Sequence, residues 1–271
     1  MSILNHCIIP DWSAPKNVRA LQTTRLGGIS SAPYDSLNLG DHVGDVPLAV
    51  ERNRILLNTL LPSEPVWLEQ VHGTVVANAD MASCLPQADA CTARHRAAVC
   101  VVMTADCLPV LLCDTRGSVV GAAHAGWKGL AAGVIEATVQ AMDVAPQELM
   151  AWLGPAISQQ SFEVGSEVRA LFVADPQAAA AFTPSPLKGE GGVTNDLAVV
   201  VGQPSQMASS STREGEKWLA DLYVLARLRL NALGITNIYG GDYCTYRDSE
   251  RFFSYRRDGA TGRMGTFIWL D

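Results

Sequence analysis

Two apolar runs, Ala97–Met103 and Leu108–Cys113, are separated only by Thr104-Ala105-Asp106-Cys107. Both read as β-strands, so the short link between them sets a carboxylate and a thiol beside buried chain. A charge in such a place is costly unless it is wet or paired. The fold must therefore bring Asp106 and Cys107 to a cavity wall or to a polar partner. The next apolar run, Ser118–Ala123, leads into His124. Gly126-Trp127-Lys128-Gly129 then turns the chain into a helix from about Leu130 to Met142. Upstream, Val66–Val76 reads as a strand or hairpin arm around His72.

His72, Cys107 and His124 each lie at or near the end of an expected strand, where a sheet can bring them together. Two imidazoles and one thiolate fill three of the four tetrahedral positions of Zn²⁺, and an open fourth position belongs to a catalytic site. Two other readings use the same residues. Cys107 can be a small buried residue with both histidines satisfied by backbone. It can also be a nucleophile with His124 as its base.

Composition narrows the class. Of 271 residues, 48% are hydrophobic and 17% charged, enough apolar content for a large core. We expect one catalytic domain over 1–271, with a surface insertion at about 184–215, where proline, glycine and serine accumulate. The net charge is −7, and no Lys/Arg run offers a nucleic-acid face. The apolar runs are too short to span a bilayer, and the first residues do not resemble a signal peptide. Seven cysteines without paired spacing fit a reducing, cytoplasmic setting.

Other elements follow from pattern. Val18–Thr24 alternates as a strand, and a long loop runs from Arg25 to Gly44. Asp45 is placed to cap a helix with Pro47 in its first turn, running to about Leu60 and presenting Val50, Ile55 and Leu57. Leu149–Leu153 reads as a strand and Ser166–Val173 as a helix. Trp218–Leu233 reads as one amphipathic helix stopped by Gly234. Leu197–Val201, Ile238–Tyr239, Phe252–Arg256 and Thr266–Leu270 read as further strands. Periodicity alone supports a mixed α and β protein.

Several motifs together resemble the YfiH-type family, once labelled multicopper polyphenol oxidase or laccase-like. They are Thr24-Arg25-Leu26-Gly27-Gly28, Ser36-Leu37-Asn38-Leu39-Gly40, Asn53-Arg54, Gln70-Val71-His72, Thr104 to Val110, His124 to Gly129, Leu153 to Ile157, Phe253 to Arg257 and Gly262-Arg263. The insertion departs from the family pattern. The resemblance implies an α+β fold with mixed β-sheets packed face to face and flanking helices, a four-layer α/β/β/α sandwich. It implies a zinc-dependent purine nucleoside phosphorylase. Adenosine, inosine, guanosine or methylthioadenosine would be cleaved by phosphate to free base and a ribose 1-phosphate, with adenosine deaminase side activity. The family's metal ligands fall on His72, Cys107 and His124. An amidase acting on peptidoglycan precursors through Cys107 is the alternative attached to relatives. Multicopper oxidation is disfavoured, because the chain has five histidines and such clusters need many. Copper can still replace zinc at one N/S site.

The remaining candidates surround this centre. Arg25, Arg54 and Arg256 suit a phosphate through planar paired donors, or else serve as surface residues and ion-pair partners. Neighbouring Arg257 shares the expected strand with Arg256, so one of the two faces away. Asn38 enters through its motif. Gln70 lies two residues from His72, on its face of the expected strand, for a substrate bond or a ladder edge. Asp106 and Asp89 can orient an imidazole, although Asp89 suits a plain turn better. Trp127 either stacks on a purine or covers a helix start.

Overall fold

The computed structural model describes residues 3–81, 85–186 and 216–271. After a 3-10 turn come β1 (Cys7–Ile8) and β2 (Val18–Thr23), then α1 (Pro47–Asn58). The central segment holds β3 (Val76–Asn78), β4 (Ala90–Ala93), β5 (Cys100–Thr104), β6 (Leu108–Asp114) and β7 (Val120–Ala125). Next are α2 (Trp127–Ala132), α3 (Val134–Met142), β8 (Leu149–Leu153), β9 (Glu163–Gly165), α4 (Ser166–Ala170) and β10 (Phe182–Pro184). The chain closes with β11 (Lys217–Ala220), α5 (Leu222–Ala232), β12 (Asn237–Gly240), α6 (Tyr255–Asp258) and β13 (Met264–Leu270).

The two runs around Asp106-Cys107 do not pair with each other. β5 is an edge of a four-stranded sheet ordered β1-β2-β13-β5, whereas β6 is central in a six-stranded sheet ordered β12-β8-β6-β7-β4-β3. The link at Ala105–Cys107 is thus a crossover between layers. Side-chain parity shows how the layers pack. Cys100 and Val102 of β5 and Ile268 and Leu270 of β13 meet Leu111, Cys113, Val120 and Ala122 between the sheets. The alternate residues Val101, Met103, Phe267 and Trp269 face outward with Leu57 of α1. On the far side, Val110, Leu112 and Ala123 pack with Ile135 and Val139 of α3 and Leu225 of α5. This is the α/β/β/α sandwich. Each fully buried Leu here contributes about 1.5–3 kcal/mol.

A small third sheet, β10-β11-β9, lies outside this frame. Its β10–β11 pairing sets Pro184 opposite Trp218, so the two described flanks of the expected insertion are hydrogen-bonded neighbours. Leu197–Val201 and most of 184–215 fall outside the described residues. Among the described residues, no helix is long and apolar enough to cross a membrane.

Several elements differ from the pattern reading, each for a local reason. Asp45 does not cap α1. Its carboxylate accepts from Ser30 Oγ and Asn38 Nδ2 instead, and α1 has no side-chain cap. Asn53, not Ile55, shares the buried face with Val50 and Leu57. Its amide donates to Ser30 Oγ and to the carbonyls of Ser36 and Asn38. Val66–Val76 is not a strand, because a carboxylate takes the backbone N–H groups around His72. Gln70 and His72 therefore share no strand face. The helix expected to begin near Leu130 starts at Trp127 and breaks at Gly133, whose φ is +98°. Trp218 belongs to β11, and Asp221 starts α5 by accepting from the N–H groups of Tyr223 and Val224. Phe252–Arg256 is not a strand, since Ser254 caps α6. Arg256 and Arg257 accordingly lie on a helical turn.

Candidate metal centre

The site begins with the layer crossover. Asp106 has φ +99°. Its carboxylate accepts from Thr245 Oγ1 at 2.6 Å and from the Arg256 N–H at 2.7 Å. The buried charge is thus paired, and the next residue, Cys107, is fixed at the start of β6. Across the sheet, Pro109 pairs with His124, which ends β7 beside Ala125.

β4 flanks β7 on its other side, with Ala90 opposite Ala123. That register puts Asp89 against His124, whose Nδ1 lies 2.8 Å from Asp89 Oδ1. The same carboxylate accepts from the N–H groups of Val71, His72 and Gly73 at 3.1, 2.9 and 2.6 Å. These bonds hold His72 at φ +62°. A left-handed non-glycine residue costs about 1–2 kcal/mol, and each hydrogen bond to a charged group contributes about 1.5–3 kcal/mol, so the turn is stable. Asp89 thus sets both histidines, one through its ring and one through its backbone. The plain-turn reading of Asp89 gives way to this double role. The Asp106 carboxylate bonds to Thr245 and Arg256 and to neither ring.

The Cys107 Sγ is 3.8 Å from His72 Nε2, and the two imidazole centroids are 4.7 Å apart. The three donor atoms all lie within 4.8 Å of one another. Tetrahedral zinc with N and S ligands spaces its donors by roughly 3.3–3.7 Å, so closure requires shifts of about an ångström. Gly126 leaves the necessary room. A Cβ there would lie 2.7 Å from Cys107 Sγ and 3.2 Å from His72 Cδ2.

Electrostatics favour a charged sulfur. Burial opposes the Cys107 thiolate, but the imidazoles of His124 and His72 outweigh it and bring the thiol down to about 6. Burial likewise opposes the His124 cation, while Cys107 and Asp89 together drive it up to about 9. Burial also raises the Asp89 carboxyl, yet the bonds from His124, Gly73 and Val71 leave it below its ordinary value. An ionised Asp89 only accepts, so His124 Nδ1 keeps its proton, and Nε2 is the ligand nitrogen, its own proton being displaced when a metal binds. The donor set fits zinc.

These donors line a cavity of about 380 Å³ with Gln70, Met103, Thr104, His42, Tyr255 and Arg263. Its size suits a small molecule. A larger hollow of about 740 Å³ sits at the opposite end of the four-stranded sheet, against Trp12, Val18 and Trp269, and holds none of the three donors. Gln70 lines the smaller cavity, but both ends of its amide are tied to the Met103 backbone, at 2.9 and 2.7 Å.

The other expected contacts lie elsewhere. Arg25 binds the Asp35 and Ser249 carbonyls. Arg54 binds the Leu39 carbonyl and stacks on Trp67 at 4.0 Å. Arg256 donates to the Glu163 carbonyl, and Arg257 to those of Thr245 and Phe252. Asn38 is fully buried and accepts from the Arg263 N–H. Trp127 packs on the α3–α5 side of the core. None of these six lines the cavity. His42, Tyr255 and Arg263 do, although pattern reading did not select them. Asp89 carried a usable signal, as a lone charge in the apolar run Ala88–Cys91.

Comparison with known proteins agrees with this architecture. A family described as multi-copper polyphenol oxidoreductase laccase matches residues 19–271. A Pseudomonas aeruginosa protein named purine nucleoside phosphorylase is 48% identical over 268 residues, covering 98% of this chain and 99% of the relative. The purine nucleoside phosphorylase YfiH of Escherichia coli is 48% identical over 271 residues, covering 98% and 100%. A solved Neisseria meningitidis protein superposes with TM-score 0.84 at 48% identity, covering 98% and 99%. The Geobacillus stearothermophilus protein YlmD gives 0.74 at 30% identity, covering 94% and 92%.

Proposed function

The chain belongs to the multi-copper polyphenol oxidoreductase laccase family, and from that membership we propose an activity the family's label does not describe: phosphorolysis of purine nucleosides at a metal held by His72, Cys107 and His124. The observation that carries this reading is the convergence of the three donors within 4.8 Å on one cavity wall. The names of the relatives supply the reaction. The histidine inventory argues against multicopper oxidation. Among the described residues, His6, His42 and His95 join no second group of three ligands.

In the reaction, a phosphate oxygen forms a bond to the anomeric carbon. The carbon–nitrogen bond to the purine breaks, its electron pair leaves with the base, and the base takes up a proton. When bound, Zn²⁺ supplies Lewis acidity toward an oxygen of phosphate or ribose. Cu²⁺ competes for the same N/S ligands. Asp89 holds the His124 ring and the His72 turn in place. Gln70 braces the end of β5, and the cavity walls limit water around the reacting atoms. Adenosine is the first substrate to test, then inosine, guanosine and methylthioadenosine. We extend the reading to adenosine deamination, in which a water oxygen bonds to purine carbon 6, the bond from that carbon to the exocyclic amine breaks, and the amine takes up a proton and leaves as ammonia. The six free cysteines among the described residues fit a reducing compartment, and we assign the enzyme to the cytoplasm.

The depressed Cys107 thiol also favours a second reading, a cysteine hydrolase with an imidazole base. Metal analysis of the purified protein, together with a phosphate-dependent adenosine assay, separates the two. The phosphorylase reading expects near one zinc per chain, loss of ribose 1-phosphate formation after chelation, and recovery on adding zinc. Activity that survives chelation and disappears on thiol alkylation establishes the hydrolase instead.

A further inference from the structure

Arg263 faces the cavity of the metal-ligating side chains. It stands one residue before β13, whose first residue, Met264, pairs with Thr104 at the end of β5. Thr104 lines the cavity too, so two adjacent strand ends bring Arg263 and Thr104 to one wall. Thr104 is 1% exposed, and its Oγ1 has no hydrogen-bond partner. A buried orphan hydroxyl costs about 1–3 kcal/mol, a cost that a ligand in the cavity would remove.

Arg263 is similarly underused. Its Nη1 donates to the Thr261 and Gly262 carbonyls at 3.0 and 3.1 Å. Among the described residues, its Nε and Nη2 have no acceptor. Its backbone, by contrast, is firmly held. The N–H donates to Asn38 Oδ1 at 2.9 Å, and the carbonyl accepts from the Leu39 N–H at 3.1 Å. Asn38 is itself tied to Asp45 and to the Gly40 carbonyl. Gly40 clears the path of the side chain, since a Cβ there would lie 2.8 Å from Arg263 Cγ. The buried network around Asn38 thus aims one arginine at the cavity and leaves the Nε–Nη2 edge of its guanidinium unspent.

We propose that Arg263 and Thr104 form the phosphate subsite of this cavity. The guanidinium edge would donate to two phosphate oxygens and the Thr104 hydroxyl to a third. Paired planar donors match a phosphate in this way. The choice of phosphate rests on the phosphorylase reading, whereas the subsite itself rests on the unspent donors. It also separates the roles of the arginines, because Arg25, Arg54 and Arg256 spend their donors on backbone carbonyls.

The test titrates inorganic phosphate into the zinc-loaded protein by calorimetry and measures KM for phosphate and for adenosine separately. Arg263→Gln is expected to weaken phosphate binding and raise the phosphate KM by about ten- to a hundredfold, with adenosine KM and zinc content little changed. Thr104→Val is expected to show a smaller loss in the same direction, restored by Thr104→Ser. Arg263→Lys keeps the charge without the fork and carries the test if Arg263→Gln does not fold. Wild-type phosphate affinity in the Arg263 and Thr104 variants overturns the subsite, as does a wild type that binds no phosphate. Adenosine 5′-monophosphate is titrated in parallel. If Arg263→Gln weakens only the monophosphate, the site serves a phosphate ester and the free-phosphate assignment is overturned. If phosphate binds through Arg263 but no nucleoside is cleaved, the subsite stands and the phosphorylase reading falls.

Discussion

Two carboxylates, Asp89 and Asp114, flank opposite ends of the β6–β7 hairpin, and both are fully buried. Asp114 closes the turn. It accepts from the Ser118 N–H at 2.6 Å, the Ser118 hydroxyl at 2.7 Å and the Val119 N–H at 3.1 Å, with Arg116 at 3.4 Å. Asp89 accepts as many bonds, yet one comes from an imidazole whose other nitrogen faces a cavity. Burial and a depressed carboxyl are common to both ends. The ends differ in what is left over. At Asp114 the network closes on itself. At Asp89 it ends on His124, beside a thiol and a second imidazole.

The comparison breaks most visibly at Cys107. Cys107→Ala should reduce activity to background and lower bound zinc while the far-UV circular dichroism stays unchanged. An active variant with full zinc content would refute the metal assignment. Next in size is Asp89→Asn, which should weaken zinc affinity or activity by about 10–100-fold and destabilise the fold by about 1–3 kcal/mol. Wild-type zinc affinity in this variant would remove Asp89 from the site. Asp114→Asn should cost a similar 1–3 kcal/mol with kcat/KM unchanged, and any change in zinc affinity would contradict the division between the two ends.

The smallest effect is in acid. Burial pushes the Asp114 carboxyl up, but its bonds from Ser118, Val119 and Arg116 leave it below 3.8. The native state therefore holds its proton less tightly than the unfolded chain does. Its contribution to stability is complete above about pH 4 and is lost as pH falls through the native value. Unfolding free energy measured from pH 5 downward should fall less steeply in Asp114→Asn than in the wild type. Parallel curves would show that Asp114 contributes nothing to acid sensitivity.

Much of this was legible in the residues. Asp106-Cys107 between two apolar runs marked a paired or wet charge, and His124 at a strand end pointed to the same wall. What the pattern could not show was that β5 and β6 belong to different sheets, because a short link fits a crossover as well as a turn. The arginines were harder still. Arg25 and Arg54 sit in motifs as suggestive as that of Arg263, and only the location of each acceptor distinguishes them. Similarly, Asp221 sets a helix start that the expected hydrophobic stripe overran, and Ser254 caps a single helical turn where an apolar run read as a strand, since an N-cap is a single polar residue inside an otherwise continuous signal.

The crossover between layers has a consequence for assembly. His124 comes from one sheet, Arg263 and Thr104 from the other, and Cys107 from the strap joining them. Neither half of the sandwich contains a working pocket by itself. During refolding, turnover should therefore return only when the layers dock, later than the secondary structure, which makes the enzyme's own catalysis a clock for that final step.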